Sequence, residues 1–312
     1  MDTFINKVKI FGYHFATMDI RQDSRVHHDV FTNIVKEIQE KGDAIFPANY
    51  LELTPDKQIE VLAKVKGYIN PEDISEEMAQ RTLSSMQAIR TIQKENGSRG
   101  ANRYIISNNQ TALNVMETFA MLNLSGFEDG LEVDVAPLFE TIDDLEIAPQ
   151  VMRQLYSIPE YRAHVEKRGN KQNIMLGFSD GTKDGGYLMA NWGIYKAKEE
   201  LSQVSREFGI KVIFFDGRGG PPARGGGKTS KFYASLGPRI ENQEIQLTIQ
   251  GQTISSNFGN LDSSQYNMEQ LLGAGITNAI FNDPKNGEMK DHDREVMIDL
   301  ADTSYKAYVD FK

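Results

Sequence analysis

Residues 214–229 read FFDGRGGPPARGGGKT, an apolar run that gives way to six glycines, two prolines, two arginines and a lysine. Glycines expose backbone N–H groups and tolerate φ > 0, so a loop of this kind can wrap an anion. Arg218 and Arg224 add planar, permanently charged forks that suit phosphate or carboxylate. A flexible linker is the plainer reading, but linkers are Ser-rich and rarely follow a buried strand. The ending GGGKT invites comparison with the phosphate loop of nucleotide-binding proteins, with Gly227, Lys228 and Thr229 as its signature. That loop needs a glycine where this chain has Pro222, which removes an N–H and restricts the turn. Nucleotide binding therefore stands only as an alternative.

Carboxylates recur at the ends of other apolar runs. In IMLGFSDGTKDGG (174–186) a run leads directly into Asp180, Lys183 and Asp184. Asp180 suits a hard cation such as Mg²⁺ or Mn²⁺, and Lys183 suits an anionic substrate. The same residues also make an ordinary Ser-Asp-Gly turn. In VAPLFETIDDL (135–145) Glu140 sits between a strand and a helix start. It could complete a magnesium site with Asp180, because Mg²⁺ is typically held by one or two carboxylates plus water and substrate oxygens. Glu140, Asp143 and Asp144 could equally do no more than favour a helix N-terminus. Arg21, within DIRQD, could clamp a phosphate or pair with Asp19, Asp23 or Asp29. None of the five histidines has metal-ligand spacing, and all read as structural.

These groups need elements to position them. Caps and 3.6-residue periodicity predict helices from Ser24 to about Lys41, from Thr54-Pro55 to Gly67, from Ser75 to Gly97, from Thr111 to Gly126, and near 186–208, 263–280 and 291–311. Six β-type runs lie between or beside them: 11–20, 103–107, 131–139, 172–178, 211–215 and 244–250. Alternation of strands and helices predicts an α/β fold with parallel strands, and fits both a doubly wound sheet and a (β/α) barrel. Polar residues stand at the C-terminal ends of most runs: Asp19-Arg21-Gln22, Asn108-Asn109, Glu140-Thr141, Asp180-Lys183-Asp184, Asp216-Arg218 and Gln250. Such a gathering is the layout of a barrel's catalytic face.

Composition narrows the classes. The chain has 312 residues, 34 basic and 44 acidic side chains, a net charge of −10 and no cysteine. Disulfides, thiolate metal sites and a cysteine nucleophile are excluded. An acidic chain without a basic cluster argues against nucleic-acid binding. No apolar run approaches the ~18–20 residues of a membrane span. The first residues lack the features of a secretory signal, so a cytoplasmic location is expected.

Taken together, ATMDIRQDSR, DVAPLFETIDDL, IMLGFSDGTKDGGYLMANW and FFDGRGGPPARGGGKT resemble, in order, four segments of phosphoenolpyruvate carboxylases. TIQGQTISSNFGN is similar to the loop that follows the glycine segment in that family. The resemblance runs from about residue 8 to 311. It implies a (β/α)₈ TIM-like barrel with many additional helices, of which residues 1–312 form a single partial domain. It implies carboxylation of phosphoenolpyruvate by bicarbonate to oxaloacetate and phosphate, with Mg²⁺ or Mn²⁺.

By the same resemblance, Glu140 and Asp180 fall on the metal-ligand positions. Arg21 and Arg218 fall on phosphate-binding positions, with Gly219 and Gly220 in the substrate loop. Lys183 falls near the bicarbonate and carboxylate site. Arg224 falls on the second loop arginine, used for anionic intermediates and for dicarboxylate inhibitors such as aspartate or malate. The complete enzymes of the family commonly form homotetramers. The family's loop usually begins Phe-His-Gly-Arg-Gly-Gly, whereas Asp216 holds the histidine position here; an acid there could still take or hold a proton. Pro221-Pro222 would stiffen the loop. The family's His-Pro-Thr segment has no counterpart in this sequence, so the expectation is a central-to-C-terminal portion with little or no activity alone. A non-catalytic subunit complementing a separate half is the further alternative.

Overall fold

The computed structural model describes residues 1–127, 132–221, 224–281 and 288–312. Two compact units emerge. The first comprises Met1–Pro137 and Gln154–Gly169, and the second Leu138–Arg153 and Asn170–Lys312.

In the first unit, helix α1 (Asp2–Phe11) precedes strand β1 (Asp19–Asp23), and helices α2 (Ser24–Glu40), α3 (Pro55–Leu62) and α4 (Glu77–Asn96) follow. Next come β2 (Arg103–Ser107), α5 (Ala112–Asn123), the first part of β3 (Asp134–Phe139), the end of α6 (Ile142–Tyr156), and α7 (Pro159–Lys167). The strand expected over 11–20 is thus corrected. Its first residue ends a helix, Gly12 turns the chain at φ 51°, and pairing starts only where Asp19 aligns with Arg103. The Asp19 carboxylate also lies 3.1 Å from the Arg103 guanidinium. Periodicity missed α1 because none of its residues is buried.

Helix α2 starts at Ser24 as expected, although Asp23 is the residue that caps it, its carboxylate accepting from Arg25 N at 2.9 Å. Thr111 does cap α5, in a reciprocal box with Asn114. Such caps satisfy N–H groups that the helix itself leaves unbonded.

The second unit contains the end of β3, most of α6, β4 (Lys171–Gly177), α8 (Ser179–Glu207), β5 (Lys211–Gly217), α9 (Thr229–Ala234), β6 (Ile245–Leu247), α10 (Gln252–Phe258), α11 (Leu261–Phe281) and α12 (Asp291–Phe311). The run expected over 244–250 shortens to three paired residues. The run expected from residue 131 pairs only from Asp134, and Leu131 lies outside the described residues.

Pairing is parallel throughout, in the order β1-β2-β3-β4-β5-β6. Six parallel strands joined by helices make an α/β fold consistent with part of a (β/α) barrel. β4 and β5 are buried almost end to end, which explains why they read as continuous apolar runs. Met189 and Trp192 of α8 pack with Ala301 of α12 and carry Met297 and Tyr305 at their margin. Among the described residues no helix is long and apolar enough to cross a membrane.

Candidate active site

Register fixes which strand ends meet. In the second unit Phe139 aligns with Leu176, Leu176 with Asp216, and Asp216 with Leu247. One residue further on, Glu140 leaves β3 opposite the paired glycines Gly177 and Gly217. A Cβ on Gly177 would come within 3.0 Å of Glu140 Cγ. That glycine keeps free the space in which the Glu140 side chain stands. The start of α8 lies against the same residue, since a Cβ on Gly181 would be 3.1 Å from the Glu140 carbonyl oxygen. Asp180, one residue earlier, therefore belongs to the same neighbourhood as Glu140.

The surrounding acids divide the work. Asp144, buried at 2% exposure, accepts from Glu140 N at 3.3 Å and Thr141 N at 3.0 Å. Asp184 accepts from Ile142 N at 3.2 Å. The helix-start role foreseen for this acidic stretch thus falls to Asp144 and Asp184, and Glu140 is only partly buried. Asp180 and Lys183 form a 2.7 Å ion pair one helical turn apart. They sit on a short helical segment rather than in a turn. Gly186, at φ 78°, breaks α8 just beyond it. Tyr308 donates to the Lys183 carbonyl oxygen at 3.1 Å, which ties this segment to α12.

The donor set fits a hard divalent cation in one specific sense. Glu140 and Asp180 offer two carboxylates at adjacent strand ends, which suffices for Mg²⁺ or Mn²⁺ when water and substrate oxygens fill the remaining positions. Among the described residues no group of three or more His, Asp or Glu side chains could hold a metal alone.

The glycine loop folds on itself. Gly219 N donates to Arg224 O at 2.7 Å, and Arg224 N and Gly226 N both donate to Pro221 O at 2.9 Å. These three N–H groups bond within the loop rather than facing an external anion. Gly225 has φ 79°, and a Cβ there would be 2.5 Å from the Phe178 ring, so only glycine fits. Gly220 lies at the loop's far side, where a Cβ would be 3.0 Å from Thr253 Oγ1. Pro222, on which the nucleotide-loop alternative failed, lies outside the described residues.

The two arginines differ sharply. Arg218 is 6% exposed, and its Nε donates to Gly225 O at 2.6 Å. Its guanidinium also reaches Gly226 O at 3.4 Å and stacks over the Phe232 ring, 4.5 Å from the centroid. Burial lowers its pKa, an effect that Tyr233 and Asp216 oppose. Arg224 is exposed, and its Nε donates to Ser179 Oγ at 2.8 Å, beside Asp180. Arg21 belongs to the first unit, exposed on β1 in register with Ile105.

Asp216 is fully buried. Lys198 Nζ lies 2.7 Å from its Oδ1 and 2.8 Å from its Oδ2, and Tyr233 OH donates to Oδ2 at 2.6 Å. Lys198 is itself 1% exposed and ringed by Phe214, Phe232 and Tyr233. Its pKa is lowered by burial, against the opposing pull of Asp216, and burial raises that of Tyr233. A carboxylate enclosed in this way is an ion-pair partner and not an accessible proton carrier. Lys198 and Tyr233 escaped sequence reading. The only available signal was a lysine on the apolar side of a predicted helix.

Glu140, Asp180, Lys183, Arg224 and the loop glycines therefore share the strand ends of the second unit, with Arg218 and Asp216 buried beneath. The chain matches the phosphoenolpyruvate carboxylase family over residues 1–311. A phosphoenolpyruvate carboxylase of Gloeobacter violaceus is 30% identical to it across 99% of this chain, which spans 33% of that protein's length. Neither the nucleotide-loop reading nor the non-catalytic subunit draws support from these matches. Motif order, parallel strands and matched extent agree: the chain belongs to the phosphoenolpyruvate carboxylase family.

Proposed function

We propose that these residues serve the carboxylation of phosphoenolpyruvate by bicarbonate, giving oxaloacetate and inorganic phosphate. The observation that carries the reading is the neighbourhood of Glu140 and Asp180, beside an arginine-bearing glycine loop, in a chain of this family. Glu140 and Asp180 would hold Mg²⁺ or Mn²⁺, which as a Lewis acid offsets charge on phosphate and enolate oxygens. Arg218 and Arg224, with Gly219 and Gly220, clamp the phosphoryl group while bicarbonate attacks phosphorus. Lys183 orients bicarbonate and the substrate carboxylate.

Arg224, exposed and bonded to Ser179, is placed to meet an anionic intermediate or a dicarboxylate inhibitor such as aspartate or malate. Asp216 is left out of the reacting set because its carboxylate is enclosed. Homotetramer assembly, a cytoplasmic location and a single partial barrel domain over residues 1–312 complete the proposal.

The test is Mn²⁺ and phosphoenolpyruvate titration of the chain, followed by electron paramagnetic resonance and calorimetry. We expect weak Mn²⁺ binding, tightened by phosphoenolpyruvate and abolished in Glu140→Gln/Asp180→Asn. Mn²⁺ binding unchanged in that variant would sink the site.

A further inference from the structure

Phe214 and Asp216 alternate along β5 and so point to one face of the strand, and Arg218 follows directly after its end. That face is covered by Lys198 of α8 and by Phe232 and Tyr233 of α9. Two cations and one carboxylate share this enclosure. The Lys198 ammonium sits 5.2 Å and the Arg218 guanidinium 4.5 Å from the centroid of the same Phe232 ring. Asp216 acts on both cations. In a low-dielectric setting such charges interact strongly, and an uncompensated one is costly. Arg218 in turn holds the loop, through its bonds to the carbonyls of Gly225 and Gly226. Thr248 ties the same strand end, its N donating to Asp216 O at 3.0 Å and its hydroxyl to Arg218 O at 3.2 Å.

From this we infer that Lys198, Asp216 and Tyr233 are positioning residues that set the glycine loop through Arg218; the inference rests on the reading that this loop binds the substrate phosphate. The balance works in both directions. Without the Asp216 charge, Lys198 and Arg218 repel each other and Arg218 is driven from the loop carbonyls. Without Lys198, Asp216 draws the guanidinium to itself and away from the same carbonyls. A histidine in place of Asp216 would leave Lys198 without its counter-charge, so the acid and the lysine form one unit.

Amide hydrogen exchange at Gly219, Arg224 and Gly226, whose N–H groups close the loop, tests this without substrate. Asp216→Asn should speed exchange there by about tenfold, the scale of one lost hydrogen bond, while β2 amides keep their rates. Asp216→His should open the loop likewise, and adding Lys198→Met to either variant should close it again. Unchanged loop exchange in Asp216→Asn, equal acceleration throughout the chain, or no recovery in the double variants would overturn the inference.

The phosphoenolpyruvate dissociation constant then separates positioning from general support. Asp216→Asn should weaken binding about tenfold, yet have no effect in an Arg218→Ala background. Equal weakening in both backgrounds would also overturn it. A wild-type chain that binds no phosphoenolpyruvate would defeat the proposed function and leave the exchange result intact.

Discussion

Each unit buries a polar cluster, and the two clusters treat charge in opposite ways. In the first unit His27 is fully buried among neutral partners. Its Nδ1 lies 2.7 Å from Thr118 Oγ1 and its Nε2 2.9 Å from Tyr104 OH. The Thr118 hydroxyl donates to Asn114 O, so Nδ1–H is the donor and Nε2 accepts from the tyrosine. Both nitrogens are satisfied by neutral groups, and burial, against the opposing pull of Asp23, pushes the His27 pKa down to about 4. In the second unit Lys198 and Asp216 are both buried and held as an ion pair with a tyrosine. A neutral cluster needs only hydrogen bonds, whereas a charged one needs its counter-charge and fails if either half is removed. The site loop is attached to the charged cluster.

The strongest way to break this contrast is to remove half of the pair. Lys198→Met or Asp216→Ala should each cost about 3–5 kcal/mol of unfolding free energy, as expected for an isolated buried charge. Lys198→Met/Asp216→Asn should recover most of it. Urea denaturation followed by the fluorescence of the sole tryptophan, Trp192 of α8, reports the second unit directly. Equal losses in the single and double variants would mean that packing matters there and charge does not.

Acid should act on the other side. His27 and His164 both have folded-state pKa values near 4, with burial as the leading cause. As pH falls below about 6.5 the unfolded chain binds protons that the folded chain refuses, so stability complete above that pH declines toward pH 4 and then levels. The loss approaches about 3 kcal/mol per histidine. The His28–Glu117 pair runs the other way: His28 is raised by its bond to Glu117 and burial raises Glu117, so both favour the folded state as pH falls, although the half-exposed His28 adds little. Hydrogen exchange at pH 4.5 against pH 7.5 should therefore weaken the first unit before the second, whose one histidine, His292, is exposed. His27→Phe should flatten the slope, and a slope unchanged in that variant would remove His27 from the account.

The smallest effect belongs to the exposed Asp180–Lys183 pair, with side chains 48% and 66% exposed. Lys183→Gln should change unfolding free energy by less than about 0.5 kcal/mol, measured in the same urea series. A larger loss would show that the α8 start depends on this pair.

Much of the framework was legible in the sequence. β2 begins and ends where its apolar run does, and β4 and β5 lie within a residue or two of theirs. Buried parallel strands declare themselves as unbroken apolar runs, and caps mark helix starts. α1 went unread and β1 was placed too early, over 11–20, because pairing with β2, which begins at Asp19, and not propensity decides where the strand lies. At the site, Glu140, Asp180, Lys183, Arg218 and Arg224 were all named from type and position. Their division between surface and interior was not. Arg218 and Arg224 look alike as loop arginines, yet one is buried beneath the loop and the other sits exposed on it.

The residue order alone determined a cysteine-free, acidic α/β chain, the strand ends that carry its acids and bases, and its resemblance to one enzyme family. These are local properties of composition, period and motif. Tertiary structure alone decided that Asp216 is a sealed counter-ion, that Lys198 and Tyr233 are its partners, and that three loop amides turn inward. Those facts depend on which distant side chains meet in a space without water, and a charge's role there is set by its neighbours and not by its name.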